Sequence, residues 1–402
     1  MNDQIWDVVI VGGGMAGGLM AAALLDSGLR VQLLDAAPPP QPPTGLIRPR
    51  VSALTEASVR MLRRLGVEPL LAADRMLPYQ SMQVWDGDGT GQVDFHARDA
   101  GAEALGWMVE NDAVVAALYQ RVAPQLPWRV ATSVVDLQRH ALGWQITLAD
   151  GETLVTRLLV GADGAHSSVR DRLGIAGTPR PSGHWAVVGT IATELPHGAC
   201  ARQRFIDSGP LALLPMGGAD APCSIVWSTS EADAKRLAAL PEAAFNQALT
   251  LASEGVLGAL SIQGPRGCFP IIERHASSYV GRHAALIGDA AHVVHPLAGQ
   301  GINLGMLDAA VLAEELLRAH ARGLPLSSPA TLARYERRRR GHNLLMQQSF
   351  HGLKWLFEQP ALPLRLLRNL GLRGVQQAPP LKQFFVQQAL GRRGDLPALA
   401  RA

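Results

Sequence analysis

The chain has 402 residues, 48% hydrophobic and 18% charged, which is enough apolar content to bury a large core in two domains and excludes wholesale disorder. Its three cysteines (Cys200, Cys223 and Cys268) are widely spaced and form no C-x-x-C pair, which excludes a disulfide scaffold and a cysteine-rich zinc site and fits a reducing compartment. The net charge of +3 conceals a segregation: residues 318–402 carry 15 basic residues against three acids (Glu336, Glu358, Asp395), a local net of +12, and the rest carries −9.

No apolar run reaches the ~18 residues that span a bilayer. Met1 to Gln4 has no basic region ahead of the strand-like run from Ile5, so a cleaved secretory signal is not expected. Only three of the 37 basic residues are lysines, a bias that reads equally well as plain genomic composition. The segregation of sign points instead to an anionic membrane surface or an acidic partner. Nucleic acid is not expected, because no nucleic-acid-binding module accompanies the charge.

In chain order, IWDVVIV at 5–11 reads as a buried parallel strand, broken by Gly12-Gly13-Gly14. Met15 to Asp26 reads as an alanine-rich helix ended by Gly28, and Val31 to Leu34 as a second strand closing on Asp35, which completes one βαβ unit. The Ala36 to Pro43 stretch cannot be helical. A helix is expected from Ser52 to Leu65, antiparallel strands near 82–97 and 184–230, a helix over 112–124, and strands again over 128–161 with a turn at Asp150-Gly151. Another buried strand at 284–288 runs into Asp289, and the chain is expected to be helical from 303 to 322 and from 330 onward.

Three segments carry chemistry. Gly12-x-Gly14-x-x-Gly17 follows a strand and opens a helix, where glycines permit a tight turn, close approach to a pyrophosphate and helix-to-strand packing. The free N–H groups and dipole of the helix start favour the phosphates. Asp35, 21 residues beyond Gly14, stands where an adenosine ribose would be bound. The second segment, LLVGADGAHSSVR at 158–170, delivers Asp163-Gly164 at a turn before a helix starting near Ser167. The third, ALIGD at 285–289 followed by AAHVVHPLAGQGINLG, ends a strand on a carboxylate and enters a helix through a Pro- and Gly-rich loop. Asp289 there is placed for ribityl hydroxyls, and N–H groups at a helix start suit the negative charge of a reduced isoalloxazine. That combination suits a flavin better than a nicotinamide.

Together these segments resemble the class A flavoprotein aromatic hydroxylases, the group that includes para-hydroxybenzoate hydroxylase. The string His295 to Gly305 (HPLAGQGINLG) is similar more narrowly to the ubiquinone-biosynthesis hydroxylases. Arg50-Val-Ser-Ala53, VWD at 84–86, Val109-Glu-Asn111, LRNLG at 367–371 and GDLP at 394–397 extend the resemblance over the whole chain. The middle segment, Ala201-Arg-Gln203 and CSIVWS at 223–228, is most similar to the polyprenylphenol C5-hydroxylase branch, which shares most of its features with the C6 branch.

The resemblance implies an α/β fold with an α+β substrate domain. A Rossmann-like FAD-binding domain (1–75, 100–180 and 270–325) is interrupted by a discontinuous β-sheet substrate domain (76–99 and 181–269), and a helical C-terminal segment (326–402) follows. It gives Gly12, Gly14, Gly17 and Asp35, with Met15 and Ala16 between them, to the ADP half of FAD. Asp35 is one methylene shorter than the family's more usual Glu, which implies a weaker or water-bridged ribose contact. Arg50 is implied near the phosphates, Asp163 and Gly164 in FAD and NAD(P)H binding, and Asp289 at the ribityl chain. Pro296, Gly299, Gln300 and Gly301 form the flavin's catalytic environment, continued by Ile302 and Asn303.

With one Rossmann fingerprint, NAD(P)H is implied as a transient reductant. The chemistry implied is ring hydroxylation of a polyprenyl phenol or quinol precursor with O2, through a flavin C4a-hydroperoxide and with no general base assigned. Hydroxylation of another aromatic compound, or a non-catalytic FAD-bound scaffold subunit, are the alternatives. His292 and His295 have no cysteine or suitably spaced carboxylate beside them, so no metal site is expected. Glu110 and Asn111 read either as catalytic or as buried hydrogen-bonding residues. The apolar stripe Phe350, Leu353, Trp355, Leu356, Phe357, Leu364 and Leu367, with Arg365, Arg368 and Arg373 beside it, reads as helix core or as a face for a membrane or a partner, such as a ubiquinone-biosynthesis complex. A cytoplasmic protein, peripheral on the inner face of the membrane in the second reading, is the expectation.

Overall fold

A computed structural model describes residues 5–87, 89–218, 220–294, 301–358 and 362–401. At its centre are five parallel strands in the order Ala284–Leu286, Thr153–Gly161, Ile5–Val11, Val31–Leu34 and Trp128–Arg129. Val280–Gly281, Gly143–Leu148 and Val134–His140 extend this sheet to eight strands with antiparallel pairings. The middle of the first strand, Val8 to Ile10, is fully buried, as are Leu33, Leu34 and Leu158 to Val160. Each such side chain contributes about 1.5–3 kcal/mol, and sheets covered on both faces need this continuous apolar sequence. The helix Met15–Ala23 packs against both Asn111–Val122 and Gly301–Ala321.

Chain order and sheet order part company at the first strand: the chain moves to one side of it for Val31–Leu34 and to the other for Thr153–Gly161. That reversal opens a crevice beyond the carboxyl ends of the strands, where ligands of doubly wound folds bind.

A second sheet has eight strands in the order His292–Val293, Leu260–His275, Pro179–Thr193, Cys223–Thr229, Gly209–Pro215, Cys200–Ile206, Ser81–Asp86 and Gln92–His96. One face packs Val187, Ile191, Leu213, Ile225 and Trp227 against Phe245 and Leu249 of the helix Glu242–Ala252 and Leu237 of the helix Glu231–Ala239. Alternation along the strands puts Val188, Thr190, Ser224, Val226 and Gln203 on the opposite face. Thr190 on that face donates to the Ile47 carbonyl at 2.7 Å. A third, three-stranded sheet joins Val51–Leu54, Gly106–Glu110 and Met76–Tyr79.

Several expected boundaries move. The helix expected from Ser52 begins only at Glu56. Val51–Leu54 is a strand paired with Gly106–Glu110, and Thr55 caps the helix Glu56–Arg64 by accepting from Ser58 N at 3.2 Å. The first helix ends at Ala23, and a 3-10 turn carries the chain to Gly28 at φ 74°. The strand expected over 284–288 stops at Leu286, because Gly288 takes φ 60°. The strand Leu260–His275 runs through the domain boundary expected at 270.

The C-terminal segment is helical over Pro329–Glu358, Leu362–Gln377 and Pro379–Ala389. Many of its cations are paired inside the molecule. Arg338 pairs with Glu314 and Glu315 at 2.7 and 2.9 Å, Arg334 with Glu315 at 2.9 Å, and Arg339 with Asp308 at 2.7 Å. Arg392 reaches Glu56 at 2.6 Å and Lys382 reaches Asp99 at 3.1 Å. Among the described residues, no helix is long and apolar enough to cross a membrane.

Candidate functional site

The site is assembled at the carboxyl ends of the parallel strands. Gly12 leaves the first strand at φ 109°, and a Cβ there would overlap the Ala162 carbonyl just beyond the neighbouring strand Thr153–Gly161. A Cβ on Gly17 would overlap the Gly12 carbonyl, so both glycines are required for the helix to start this close to the sheet. Gly14 differs: it is exposed, caps the helix Met15–Ala23, and a Cβ there would have no atom within 4 Å. Met15, Ala16 and Gly17 are buried beneath it. The bare backbone of Gly14, with free N–H groups behind it, is the cradle a pyrophosphate requires.

Asp35 leaves the second strand half-buried, and its Oδ1 accepts from Ala37 N at 3.1 Å. Burial raises its carboxyl pKa, against hydrogen bonds from the Ala37 and Gly13 amides. Beside it the indole Nε1 of Trp128 is buried without a hydrogen-bond partner, close to where a Cβ on Gly13 would lie. An orphaned donor next to a carboxylate fits a ribose. Trp128 was not among the expected site residues, and no local pattern marks it: it opens a two-residue strand after the connection that follows the helix Asn111–Val122.

Asp163 turns its carboxylate inward. It accepts from Ser167 Oγ at 2.5 Å, Ser168 Oγ at 3.2 Å and Val169 N at 3.1 Å, so it holds the start of the helix Ser168–Arg172. Gly164 follows at φ 82° with open space on its side-chain face.

The third segment brings distant parts of the chain together. Gly288 at φ 60° lies against Ala16 and Gly305, and a Cβ on Gly305 would come 3.0 Å from the Gly288 Cα. This close packing sets the first helix, the turn bearing Asp289 and the helix Gly301–Ala321 side by side. Asp289 is exposed to the crevice yet crowded by protein atoms. That desolvation raises its pKa; His292 and the exposed Arg50 oppose the rise, and Asp308 reinforces it. Arg50 and Asp289 thus share one electrostatic environment, as expected for two groups serving one ligand.

Asn303 is buried at the start of the long helix. Its Oδ1 accepts from Thr55 N at 2.9 Å and Ser58 Oγ at 2.7 Å, and its Nδ2 donates to the Ala53 carbonyl at 2.8 Å. It ties the start of the long helix to the strand Val51–Leu54, while Gly301 and Ile302 are half-buried ahead of it. His295, Pro296, Gly299 and Gln300 lie outside the described residues.

Glu110 is fully buried. It accepts from Arg75 Nη1 at 2.9 Å and Arg48 N at 2.7 Å, and Arg75 also donates to the Gly45 carbonyl at 2.8 Å. The pair fixes the loop that presents Arg50. Asn111 accepts from Ser52 Oγ at 2.7 Å, so both residues take the hydrogen-bonding role of the two expected.

Among the described residues no group of three or more His, Cys, Asp or Glu could hold a metal ion. The donor set therefore fits a dinucleotide: bare glycine at a helix start, an acid and an indole N–H at the ribose end, and an exposed carboxylate beside an arginine farther along.

Comparison with known proteins agrees. The FAD binding domain family matches residues 6–348. Ubiquinone hydroxylase UbiL of Rhodospirillum rubrum is 37% identical over 392 residues, covering 97% of this chain and 90% of that protein. The 3-demethoxyubiquinol 3-hydroxylase of Escherichia coli is 35% identical over 395 residues, covering 97% and 100%. The solved structure of PqsL of P. aeruginosa in complex with 2-aminobenzoylacetate superposes with a TM-score of 0.78 over 92% of this chain and 100% of that one at 24% identity, a likeness of fold. The chain belongs to the FAD binding domain family and, within it, to the ubiquinone-biosynthesis hydroxylases, which are FAD-dependent aromatic monooxygenases.

Proposed function

We propose that the chain hydroxylates the aromatic ring of a polyprenylated phenol or quinol on the route to ubiquinone, using FAD, O2 and NAD(P)H, the usual reductant of this class. The observation that carries the reading is end-to-end similarity to two enzymes named for ubiquinone hydroxylation. Gly12, Gly14 and Gly17 with Met15 and Ala16, then Asp35, Trp128 and Arg50, hold the ADP half, and Asp289 the ribityl chain. Asp163 and Gly164 shape the neighbouring turn. The family resemblance assigns Pro296, Gly299, Gln300, Gly301, Ile302 and Asn303 to the flavin ring.

When bound, the flavin supplies the activated oxygen. The protein's share is to place the ring carbon and keep water out. The substrate-side sheet face is suited to both. Val188, Val226, Ala212, Gln203 and Val84 lie in one cross-strand row, and Thr190, Ser224 and Leu214 lie in the next. It is apolar, with few polar groups to orient a phenol. The ring position is C5 on the likeness of residues 201–203 and 223–228.

Lipid mass spectrometry of aerobically grown cells lacking the chain tests the reading. A prenylated phenol one oxygen short of a pathway product is the expected accumulation, and its substitution pattern names the ring position. An unchanged profile in cells without a second hydroxylase would discard the ubiquinone precursor in favour of another aromatic substrate. FAD binding without oxygen-dependent turnover of any phenol would favour the scaffold.

A peripheral membrane position has its own support. Leu345, Leu370, Phe384 and Phe385 are exposed, and Arg393 lies 4.4 Å over the Phe384 ring. Aromatic side chains with a cation beside them suit the headgroup boundary of an anionic bilayer. F384S/F385S is expected to abolish co-sedimentation with anionic vesicles, and undiminished sedimentation would remove this surface from consideration.

A further inference from the structure

Behind the exposed Asp289 lies a carboxylate that no solvent reaches. Asp308, on the helix Gly301–Ala321, is 0% exposed, and its two oxygens serve different parts of the chain. Oδ2 accepts from Gly288 N at 3.2 Å and from His292 Nε2 at 2.5 Å, the residues that flank the turn carrying Asp289. Oδ1 accepts from Arg339 Nε at 2.7 Å and Asn343 Nδ2 at 2.9 Å, both on the helix Pro329–Glu358.

We propose that Asp308 is a positioning residue for the cofactor site: from inside the fold it grips both ends of the Gly288–His292 turn and so sets where Asp289 meets FAD. The inference rests on the reading that Asp289 is a cofactor contact. Four donors converge on one buried carboxylate, which is what a buried charge requires. Gly288 has no room to shift, being wedged between Ala16 and Gly305. The turn is closed on itself as well, with Ala291 N donating to the Gly288 carbonyl at 2.8 Å. Asp289 is thereby held on a rigid support, anchored from inside by Asp308 and, at the Ala290 carbonyl, by Arg170 Nη1 at 3.2 Å.

A carboxylate accepts on both sides; a carboxamide does not. In Asp308→Asn the amide oxygen stays with Arg339, and the NH2 group then faces the Gly288 N–H, donor against donor. Asn343→Leu removes a partner on the Oδ1 side and leaves the turn's two bonds intact.

The test is titration of apoprotein with FAD, together with the flavin midpoint potential and apoprotein melting, for D308N, N343L and D289N. Both D308N and N343L are expected to melt lower than the parent. Only D308N is expected to bind FAD roughly tenfold more weakly and to shift the potential, with N343L staying within about twofold of the parent. D308N binding as the parent does, while D289N binds weakly, overturns the positioning role alone. D289N binding as the parent does overturns the reading of Asp289 on which it rests.

If D308N does not fold, His292→Gln and His292→Ala decide. Gln offers Asp308 an amide N–H and should retain FAD affinity, whereas Ala should lose it by roughly tenfold. Equal behaviour of the two variants overturns the proposal.

Discussion

A methyl group at Gly17 would strike the Gly12 carbonyl, whereas one at Gly14 would meet nothing within 4 Å. The two substitutions therefore separate folding from binding. Gly17→Ala should cost about 3 kcal/mol of apoprotein stability, measured by denaturant melts. Gly14→Ala should leave stability within about 0.5 kcal/mol and weaken FAD binding roughly tenfold in a flavin-fluorescence titration. Equal stability losses in the two variants would contradict the open face of Gly14. Asn303 and Glu110 show a different kind of residue, buried polar side chains near the site that tie separate parts of the chain together. Breaking the buried pair by Arg75→Met should cost about 3 kcal/mol or more and loosen the Arg48 to Arg50 loop, read as lower stability and weaker FAD affinity together.

Elements carry the acid response. Burial works to raise the Asp308 carboxyl, but His292 and Arg339 outweigh it and bring it down to about 2. A carboxyl depressed on folding contributes stability that is complete above its ordinary value of 3.8 and is lost as pH falls toward 2. Burial also pushes His275, on the neighbouring strand, down to about 4 from 6.5. The unfolded chain then binds the extra proton between those values, so stability begins to fall below pH 6.5. Acid unfolding should accordingly start near pH 6 and continue below pH 4, where Asp308 takes over from His275, and His275→Gln should flatten the upper part in melts taken at successive pH values. A curve unchanged by that substitution would remove His275 from the account.

The elements also show what was legible in the sequence. The βαβ unit at 5–34 is plain because strand, glycine turn and helix follow one another within thirty residues, and each is shaped by its own neighbours. Val51–Leu54 is not, because its partner Gly106–Glu110 lies more than fifty residues on, and only that pairing makes Ser52 and Ala53 strand instead of helix. Asp308 and Trp128 were missed for the same reason. Their partners are Gly288, His292, Arg339 and Asn343 in one case and the surroundings of Gly13 in the other, and no local pattern marks them.

Over the whole molecule, the excess positive charge of residues 318–402 is in large part the complement of acids elsewhere. Arg338 binds Glu314 and Glu315, and also Asp395 at 2.6 Å. Glu315 is almost fully buried, so Arg338→Met should cost about 2 kcal/mol, seen as a lower melting temperature with FAD affinity unchanged. The segregation of sign therefore supports a membrane face only through cations outside these pairs, Arg393 among them.

The same stapling has a consequence for biosynthesis. Arg60 donates to the Ala400 carbonyl across 340 positions, and Arg64 to that of Ala398, so a helix made early is completed by residues made late. At about 5–20 residues per second, roughly 20 to 70 s of synthesis separate the two. During that interval the helix Glu56–Arg64 lacks its cover, and a nascent chain stalled in the window is the form most exposed to proteases and to association with other chains.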